Sequence, residues 1–367
     1  MGEANQVGGH QTAVTSGEHP SLAGTFRCPA RRPGLQEPDA QAVGPVFHGG
    51  VSARIIARER CSLKSTIRIA VEENAMSAVM PAAARTMQIT KVKEHIGAIV
   101  TGVDLAQPVD AATRKKLYDA VVENVVMVIR GQAHLTPAQL QAAAEMFGEL
   151  MEDQNRRYLV DGFPLISVLD NFHQDSQGKP AKVGNNATWH TDHTNQEMPP
   201  KFTMLYAVAV PDKGGATSVC NSRAAYEALP EDLKQKITGM KTENTLISSA
   251  RFKIANPDIL RDQLESGKPP TIQPLVRTHP ETGTKAVWFH KSKTEKIIGM
   301  TPEQTQDFLQ ELTDRVTQPQ FCYAHEYQKG DLLIIDDRQS LHKAGFDFDH
   351  SQQRRLYRML VRGDRPY

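Results

Sequence analysis

Hydrophobic and polar positions vary along residues 87–367 in short segments that are separated by turn-forming residues. Residues 87–92 alternate between apolar and polar side chains, which predicts a half-buried strand. Leu117, Ala120 and Val121 share one side of a predicted helix over residues 111–123. Further apolar runs predict strands at residues 125–129, 202–210, 275–278, 286–289, 332–335 and 356–361.

Two further helices begin with a capping signature. Thr136 and Thr301 are each followed by a proline, and Gln139 and Gln304 stand three residues after them. Threonine at the N-cap, proline in the first turn and glutamine at the third position are typical of a helix start. Pro230 opens one more helix. Many short strands with a few flanking helices favour a mainly β fold, a sandwich or a jelly roll, over alternating strands and helices.

Residues 1–86 differ from residues 87–367 in composition and in hydrophobic periodicity. The first fifty residues are rich in Gly, Pro, Ala, Ser and His and have no sustained strand or helix period. Such a segment buries too little apolar surface to offset the entropy of ordering it. We therefore expect residues 1–86 to be disordered, or to be an extension from a wrongly assigned start, and residues 87–367 to form one domain.

Composition excludes several classes of protein. Lys and Arg number 43 and Asp and Glu 42, so no strong field favours nucleic acid or an anionic membrane. No apolar run approaches the ~18 residues of a membrane span. The four cysteines have no C-x-x-C spacing, which argues against a disulfide framework and fits a cytoplasmic protein.

The chemistry of the chain is indicated by His190, Asp192 and His342. Residues i and i+2 of a strand project from one face, so His190 and Asp192 can reach one ion from a strand or a strand end. His342 lies beyond the apolar run 332–335 and the polar residues that follow it. Two histidines and a carboxylate form the facial triad that holds non-haem Fe(II). The pattern alone leaves a hydrogen-bonded H-x-D on a surface turn as an alternative.

A set of motifs in chain order resembles a known family. They are Trp189-His190-Thr191-Asp192, Pro199-Pro200, Val210-Pro211, Gly214-Gly215-Ala216-Thr217, Ala224-Ala225-Tyr226-Glu227-Ala228-Leu229, Arg277-Thr278-His279-Pro280-Glu281-Thr282-Gly283, Gly330-Asp331, Asp337-Arg338, His342 and Arg354 to Arg358. From Met87 to the C-terminus the chain is similar to the taurine dioxygenase / 2,4-dichlorophenoxyacetate dioxygenase family of Fe(II)- and 2-oxoglutarate-dependent oxygenases.

The resemblance implies a mainly β fold with flanking helices around a jelly-roll core, a double-stranded β-helix. It implies that His190, Asp192 and His342 bind iron, as metal ligands and as catalytic residues. It also implies that Arg354 and Thr217 hold the distal carboxylate of the co-substrate 2-oxoglutarate. An arginine matches a carboxylate with a planar fork of donors, and a threonine hydroxyl adds one more donor.

Substrate binding is implied for Arg358 and Asn186. In the family the second arginine commonly meets an acidic group of the prime substrate, which suggests a sulfonate, an alkyl sulfate, a carboxylate or an aryloxy acid. A loop position is the alternative for Asn186. Asp153 and Arg156 stand where taurine dioxygenases have a histidine and a tyrosine, so taurine itself is not expected.

The expected reaction is hydroxylation by O₂ with succinate and CO₂ as co-products. Related halogenases have a small residue in place of the carboxylate, so Asp192 indicates hydroxylation. The alternatives are a zinc hydrolase, which also uses two histidines and an aspartate, and a binding protein that kept the jelly roll without catalysis. The family resemblance further implies a homo-oligomer, a dimer or a tetramer.

Overall fold

The strands and helices are taken from a computed structural model that describes residues 86–154, 156–174, 187–249 and 257–367. Within these ranges the strands are β1 (Gln88–Lys91), β2 (Ala98–Thr101), β3 (Val126–Ile129), β4 (Leu150–Met151), β5 (Leu159–Val160), β6 (Phe163–Asp170), β7 (Pro200–Ala209), β8 (Thr217–Asn221), β9 (Lys241–Asn244), β10 (Thr271–Pro274), β11 (Val276–Thr278), β12 (Lys285–Val287), β13 (Thr294–Ile297), β14 (Cys322–His325), β15 (Leu332–Asp336), β16 (Ser340–Ala344) and β17 (Arg355–Arg362). The helices are α1 (Ala111–Asn124), α2 (Pro137–Glu145), α3 (Ser222–Glu227), α4 (Glu231–Ile237), α5 (Pro257–Ser266) and α6 (Pro302–Val316).

The largest sheet has nine strands in the order β1-β2-β3-β15-β7-β17-β6-β5, with β4 paired to β17. Its central strands are buried on both faces, and β15 is buried at every residue. On one face, Met127 and Met204 pack against Leu117 of α1 and Leu140 of α2. This face forms the larger part of the hydrophobic core.

A second sheet covers the opposite face of the first. Its order is β14-β8-β16. Val219 of this sheet packs with Leu205, Leu333 and Leu356 of the large sheet. Two β layers with helices outside them are the predicted architecture, and the jelly-roll fold with flanking helices is confirmed. His342 lies in β16 opposite Val219, so the second layer delivers one predicted ligand to the space between the sheets.

The predicted helix starts are confirmed. The side chains of Thr136 and Thr301 each accept a hydrogen bond from the backbone N–H of the glutamine three residues later. The side chain of that glutamine accepts a hydrogen bond from the backbone N–H of the threonine. The predicted helix 137–147 ends earlier, at Glu145. The strands predicted at 275–278 and 286–289 are shorter, because Leu275 and the residues after Val287 lie outside the ladder of β11 and β12.

The polar residues at the end of β15 are buried. Asp336, Asp337 and Arg338 are at most 1% exposed. The carboxylate of Asp336 accepts hydrogen bonds from Nε and Nη2 of Arg338, each at 2.8 Å, and lies 3.1 Å from Nε2 of His279. A bidentate ion pair with further hydrogen bonds satisfies charges that would otherwise be costly to bury.

In the described part of the chain no helix is both long and apolar enough to cross a membrane. The proposed extension, residues 1–86, lies outside the described residues except for its last member. Its separation from residues 87–367 therefore stays a prediction.

Candidate metal centre and active site

The two histidines of the predicted triad are joined through their backbones. His342 lies in the middle of β16, and His190 forms an isolated antiparallel bridge with it. The His190 N–H donates to the His342 carbonyl at 3.0 Å, and the His342 N–H donates to the His190 carbonyl at 2.7 Å. This pairing brings the two imidazole rings to a centroid separation of 4.3 Å.

Asp192 reaches the same point from a turn rather than from a continuing strand. The residue after it, His193, has a φ of 53°, in the left-handed region that non-glycine residues seldom adopt. The chain thus reverses directly after Asp192. Its Oδ1 lies 3.7 Å from Nε2 of His190 and 3.9 Å from Nε2 of His342.

The donor set fits a divalent iron ion. One ligand atom from each of His190, Asp192 and His342 lies within 4.8 Å of the others. Nδ1 of His190 is 2.7 Å from the Thr188 carbonyl, so its proton is held there and Nε2 offers its lone pair. Burial, together with His190, lowers the pKa of His342 to about 3, and burial lowers the pKa of His190. Both rings are therefore neutral at physiological pH, as metal binding requires.

Two further side chains fix the carboxylate of Asp192. The hydroxyl of Thr203 lies 2.9 Å from Oδ2 of Asp192 and 2.6 Å from Oδ2 of Asp337. Burial and the charge of Asp192 hold the pKa of Asp337 well above its usual range. Thr203 therefore connects the Asp192 carboxylate to Asp337 and limits its rotation.

Arg354 and Thr217 lie side by side. Arg354 Nε donates to the Gly215 carbonyl at 2.7 Å, and Nη2 donates to the Thr217 hydroxyl at 3.4 Å. Arg354 is only 8% exposed, and among the described residues no carboxylate lies within 4.0 Å of its guanidinium. A Cβ on Gly215 would approach the Arg354 side chain at 3.1 Å, and the φ of Gly215 is +69°. A glycine at position 215 therefore leaves the space that the buried Arg354 side chain occupies.

Arg358 lies beside Asp192 but already has a partner. Its Nη1 is 3.6 Å from Oδ2 of Asp192, and its Nε donates to Oδ2 of Asp153 at 3.0 Å. The hydroxyl of Ser167 also donates to Asp153, at 2.7 Å. Burial opposes ionisation of Asp153, but Arg358 and His193 outweigh it and lower its pKa to about 2.

The two residues at the positions of departure from taurine dioxygenases have different surroundings. Asp153 is buried against Arg358, whereas Arg156 is exposed and pairs with exposed Glu152. Of the two, Asp153 alone contacts Arg358. Asn186 lies outside the described residues, so its predicted contact with substrate stays a prediction.

Sequence reasoning missed Lys293 and its two partners. Its Nζ donates to Oε1 of Gln154 and to Oδ1 of Asn195, each at 2.9 Å. His290 was not among the predicted site residues, yet it forms a backbone bridge with His190, and their rings lie 4.6 Å apart. No spacing signal linked these residues, because they come from distant segments.

Comparisons with known proteins agree with this geometry. Residues 88–360 match the family model "Taurine catabolism dioxygenase TauD, TfdA family". The α-ketoglutarate-dependent 2,4-dichlorophenoxyacetate dioxygenase of Cupriavidus pinatubonensis is 34% identical over 72% of this chain and 94% of that protein. The α-ketoglutarate-dependent sulfate ester dioxygenase of Pseudomonas putida is 30% identical over 80% of this chain and 95% of its own.

A solved structure gives the same answer. The crystal structure of AAD-2 in complex with Mn(II) and N-oxalylglycine superposes with a TM-score of 0.63 and 28% identity, and covers 77% of this chain and 99% of that one. These likenesses give no support to a zinc hydrolase or to a non-catalytic binding protein. The chain therefore belongs to the taurine catabolism dioxygenase TauD, TfdA family, and it is a dioxygenase that depends on Fe(II) and 2-oxoglutarate.

Proposed function

We propose that this enzyme hydroxylates a small organic anion: a sulfonate, an alkyl sulfate, another carboxylate or an aryloxy acid. The relatives named above act on an aryloxy acid and on sulfate esters. The observation that best supports the proposal is the buried His190, Asp192 and His342 triad, with its ligand atoms within 4.8 Å of one another. Taurine itself is not expected, because Asp153 is buried where taurine dioxygenases have a histidine or a tyrosine.

His190, Asp192 and His342 hold Fe(II) and leave one side of it to other ligands. When bound, Fe(II) would let O₂ oxidise 2-oxoglutarate to succinate and CO₂, with one oxygen atom entering succinate and the other converting a C–H bond of the substrate to C–OH. The chain supplies position and protection from water. Thr203 and Asp337 keep the Asp192 carboxylate turned toward the two imidazoles.

Arg354 and Thr217 bind the distal carboxylate of 2-oxoglutarate. The guanidinium is buried, keeps its charge, and lacks a carboxylate within 4.0 Å in the described part of the chain. A dicarboxylate supplies the missing anion, and the Thr217 hydroxyl completes the contact. Tyr327 donates to that hydroxyl at 2.8 Å, so the hydroxyl keeps its own proton to donate to the ligand.

Arg358 and Asn186 bind the prime substrate. Nη1 of Arg358 lies 3.6 Å from Asp192, so a group bound to this arginine stands beside the metal ligands. Hydroxylation at a carbon next to an ester or ether oxygen gives an unstable product. That product collapses to a carbonyl compound and releases its leaving group.

The test begins without oxygen. Enzyme with Fe(II) and 2-oxoglutarate is expected to give a weak visible charge-transfer band, and admitted air should then yield succinate. Sulfonates, alkyl sulfates and aryloxy acids are screened for stimulation of succinate formation. A protein that gives neither the band nor succinate, and that hydrolyses a substrate with Zn²⁺ alone, would overturn the proposal.

We also propose that residues 1–86 are dispensable, that the enzyme works in the cytoplasm, and that it is a dimer or a tetramer. A chain beginning at Met80 is expected to fold and to keep full activity. Loss of its folding would refute the domain boundary. Light scattering of that chain and of the full one decides the oligomeric state.

A further inference from the structure

The charge of Arg358 is compensated within the protein. Its Nε and Nη2 both donate to Oδ2 of Asp153, and Oδ2 of Asp192 lies 3.6 Å from its Nη1. One guanidinium thus faces two buried carboxylates, whose oxygens are close enough to offset its charge strongly in a site of low polarity. An anionic substrate that approaches Arg358 meets Asp153 as well. Arg358 alone gives this part of the site little net attraction for an anion.

Lys293 presents a different balance. Its Nζ donates to the amide oxygens of Gln154 and Asn195, each at 2.9 Å. Among the described residues no carboxylate lies within 4.0 Å of this ammonium. Two neutral carbonyl oxygens orient the group but leave its charge in place, and an ammonium has three hydrogens to donate. Lys293 therefore keeps a positive charge and a donor for one more acceptor.

Lys293 is tied to the metal centre by its backbone. The Lys293 N–H donates to the His290 carbonyl at 2.9 Å, and His290 in turn bridges to His190. The negative charge of Asp192 stabilises the protonated form of Lys293, so the ammonium stands within electrostatic reach of the triad. A group bound to Lys293 is thereby kept close to the carboxylate that holds the metal.

A cavity of about 1120 Å³ lies next to the residues that Lys293 contacts, although Lys293 itself is not among its lining residues. Both partners of Lys293, Gln154 and Asn195, line it, and so does Asp153. Thr245, another lining residue, donates its N–H to the Lys293 carbonyl at 2.9 Å. The cavity has the size that proteins use for small-molecule ligands, ~300–1,000 Å³ or slightly more. Lys293 thus contacts both residues that line this cavity and His290, which bridges to His190.

We infer that Lys293, oriented by Gln154 and Asn195, is the anchor for the anionic group of the prime substrate. The substrate is then a small organic anion with one charged end, a sulfate ester, a sulfonate or a carboxylate, bound by Lys293 with Arg358 beside it. Asp153 pairs directly with Arg358, whereas no carboxylate of the described residues lies within 4.0 Å of the Lys293 ammonium. The inference rests on the proposed function and adds the residue that selects the substrate.

Calorimetry tests the inference on the full chain loaded with Fe(II) and 2-oxoglutarate without oxygen. The probes are hexyl sulfate, hexanesulfonate and 2,4-dichlorophenoxyacetate. Lys293→Met is expected to raise the Kd of the tightest probe by roughly tenfold or more. Lys293→Arg is expected to restore most of the affinity, because it keeps the charge. A residue that only supports the fold would not show this dependence on charge.

Lys296→Met is the matched control. It removes the same charge three residues later, from a side chain that points to Glu243, and it should leave all the affinities unchanged. If Lys293→Met fails to fold, Lys293→Gln takes its place. The loss of anion affinity must exceed any loss of 2-oxoglutarate affinity at least several-fold.

Two results would overturn the inference. One is that the unmodified enzyme binds none of the three anions with a Kd below about 1 mM; the other is that Lys293→Met binds them as well as the unmodified enzyme does. Failure of the proposed function looks different. In that case the unmodified enzyme neither binds 2-oxoglutarate nor forms succinate on admission of air, whatever the state of Lys293.

Discussion

The metal centre and the substrate cavity are built from different parts of the fold. His342 and Thr217 stand on β16 and β8, paired strands of one sheet, and His190 is bonded to that sheet through its backbone. The cavity is lined by Gln154 and Asn195, which lie in loops, and by residues of β9, β10 and α5. The proposed metal centre thus rests on a hydrogen-bonded ladder, whereas the proposed substrate cavity takes part of its lining from loops, which vary more readily among proteins.

Removal of the Asp192 carboxylate should abolish iron binding at the proposed metal centre. Asp192→Ala leaves two neutral imidazoles, which hold Fe(II) far more weakly than a set with a carboxylate. We expect loss of bound iron and of succinate formation. Iron content and succinate are measured together, with Glu311→Gln, in an exposed pair with Arg315, as control. An Asp192→Ala enzyme with full iron and full activity would remove Asp192 from the site.

Removal of the buried arginine should break the co-substrate contact while leaving the triad intact. Arg354→Met keeps the length of the side chain and deletes its charge, so binding of 2-oxoglutarate should weaken by about 2–5 kcal/mol. Anaerobic titration with 2-oxoglutarate measures this. Arg355→Met is the control, because Arg355 is partly exposed and pairs with Asp170. Equal losses in both variants would contradict the assignment of Arg354.

The ion pair between Asp153 and Arg358 links the proposed metal centre to the cavity, because Arg358 lies beside Asp192 and Asp153 lines the cavity. Asp153→Asn leaves a buried guanidinium with Asp192 as its nearest carboxylate, and breaking such a pair costs about 3–5 kcal/mol of unfolding free energy. We expect the lower end of that range, since Asp192 lies 3.6 Å away. Urea unfolding measures the loss. Glu152→Gln, in an exposed pair, should cost under about 1 kcal/mol.

The same variant sharpens the roles of the two cations. With Asp153 neutral, Arg358 gains net charge toward the cavity, so Asp153→Asn should bind hexyl sulfate more tightly than the unmodified enzyme does. An unchanged or weaker affinity would mean that Asp153 does not limit the part that Arg358 plays.

Part of the proposed metal centre could be predicted from local spacing, whereas the roles of His342, Thr217 and Arg354 were implied by the family resemblance. The His190 and Asp192 pair, the Gly214 and Gly215 turn and the buried run of β15 each have a spacing with a physical meaning. Thr136 and Thr301 likewise predicted the starts of their helices. These features depend on neighbours in the chain, so they can be read without the fold.

The substrate half could not be predicted in this way. Gln154, Asn195 and Lys293 are ordinary polar residues in three separate segments, and only the folded chain brings them together. The ion pair of Arg358 with Asp153 could not be predicted for the same reason. Asp153 was noticed as a departure from taurine dioxygenases, but its burial and its ion pair depend on the approach of β17 and β6.

The smallest expected effect is the pH dependence of anion binding, which tests the proposed role of Lys293. Burial lowers the pKa of Lys293 to about 8, against the opposing effect of Asp192. Below this pH the ammonium is charged, and the charge is lost as the pH rises through 8. The affinity for hexyl sulfate should therefore fall by about tenfold between pH 7 and pH 9, since one unit on either side of a pKa changes the charged fraction that much.

The other charged groups that face Lys293 do not change over this range. The pKa of Asp153 is about 2, that of Asp192 is held well below its usual range, and Arg358 keeps its proton. Calorimetry from pH 6.5 to 9.5 follows the affinity, and Lys293→Arg should make it flat. If the fall persists in Lys293→Arg, the titrating group is another one and Lys293 does not supply the charge that the anion meets.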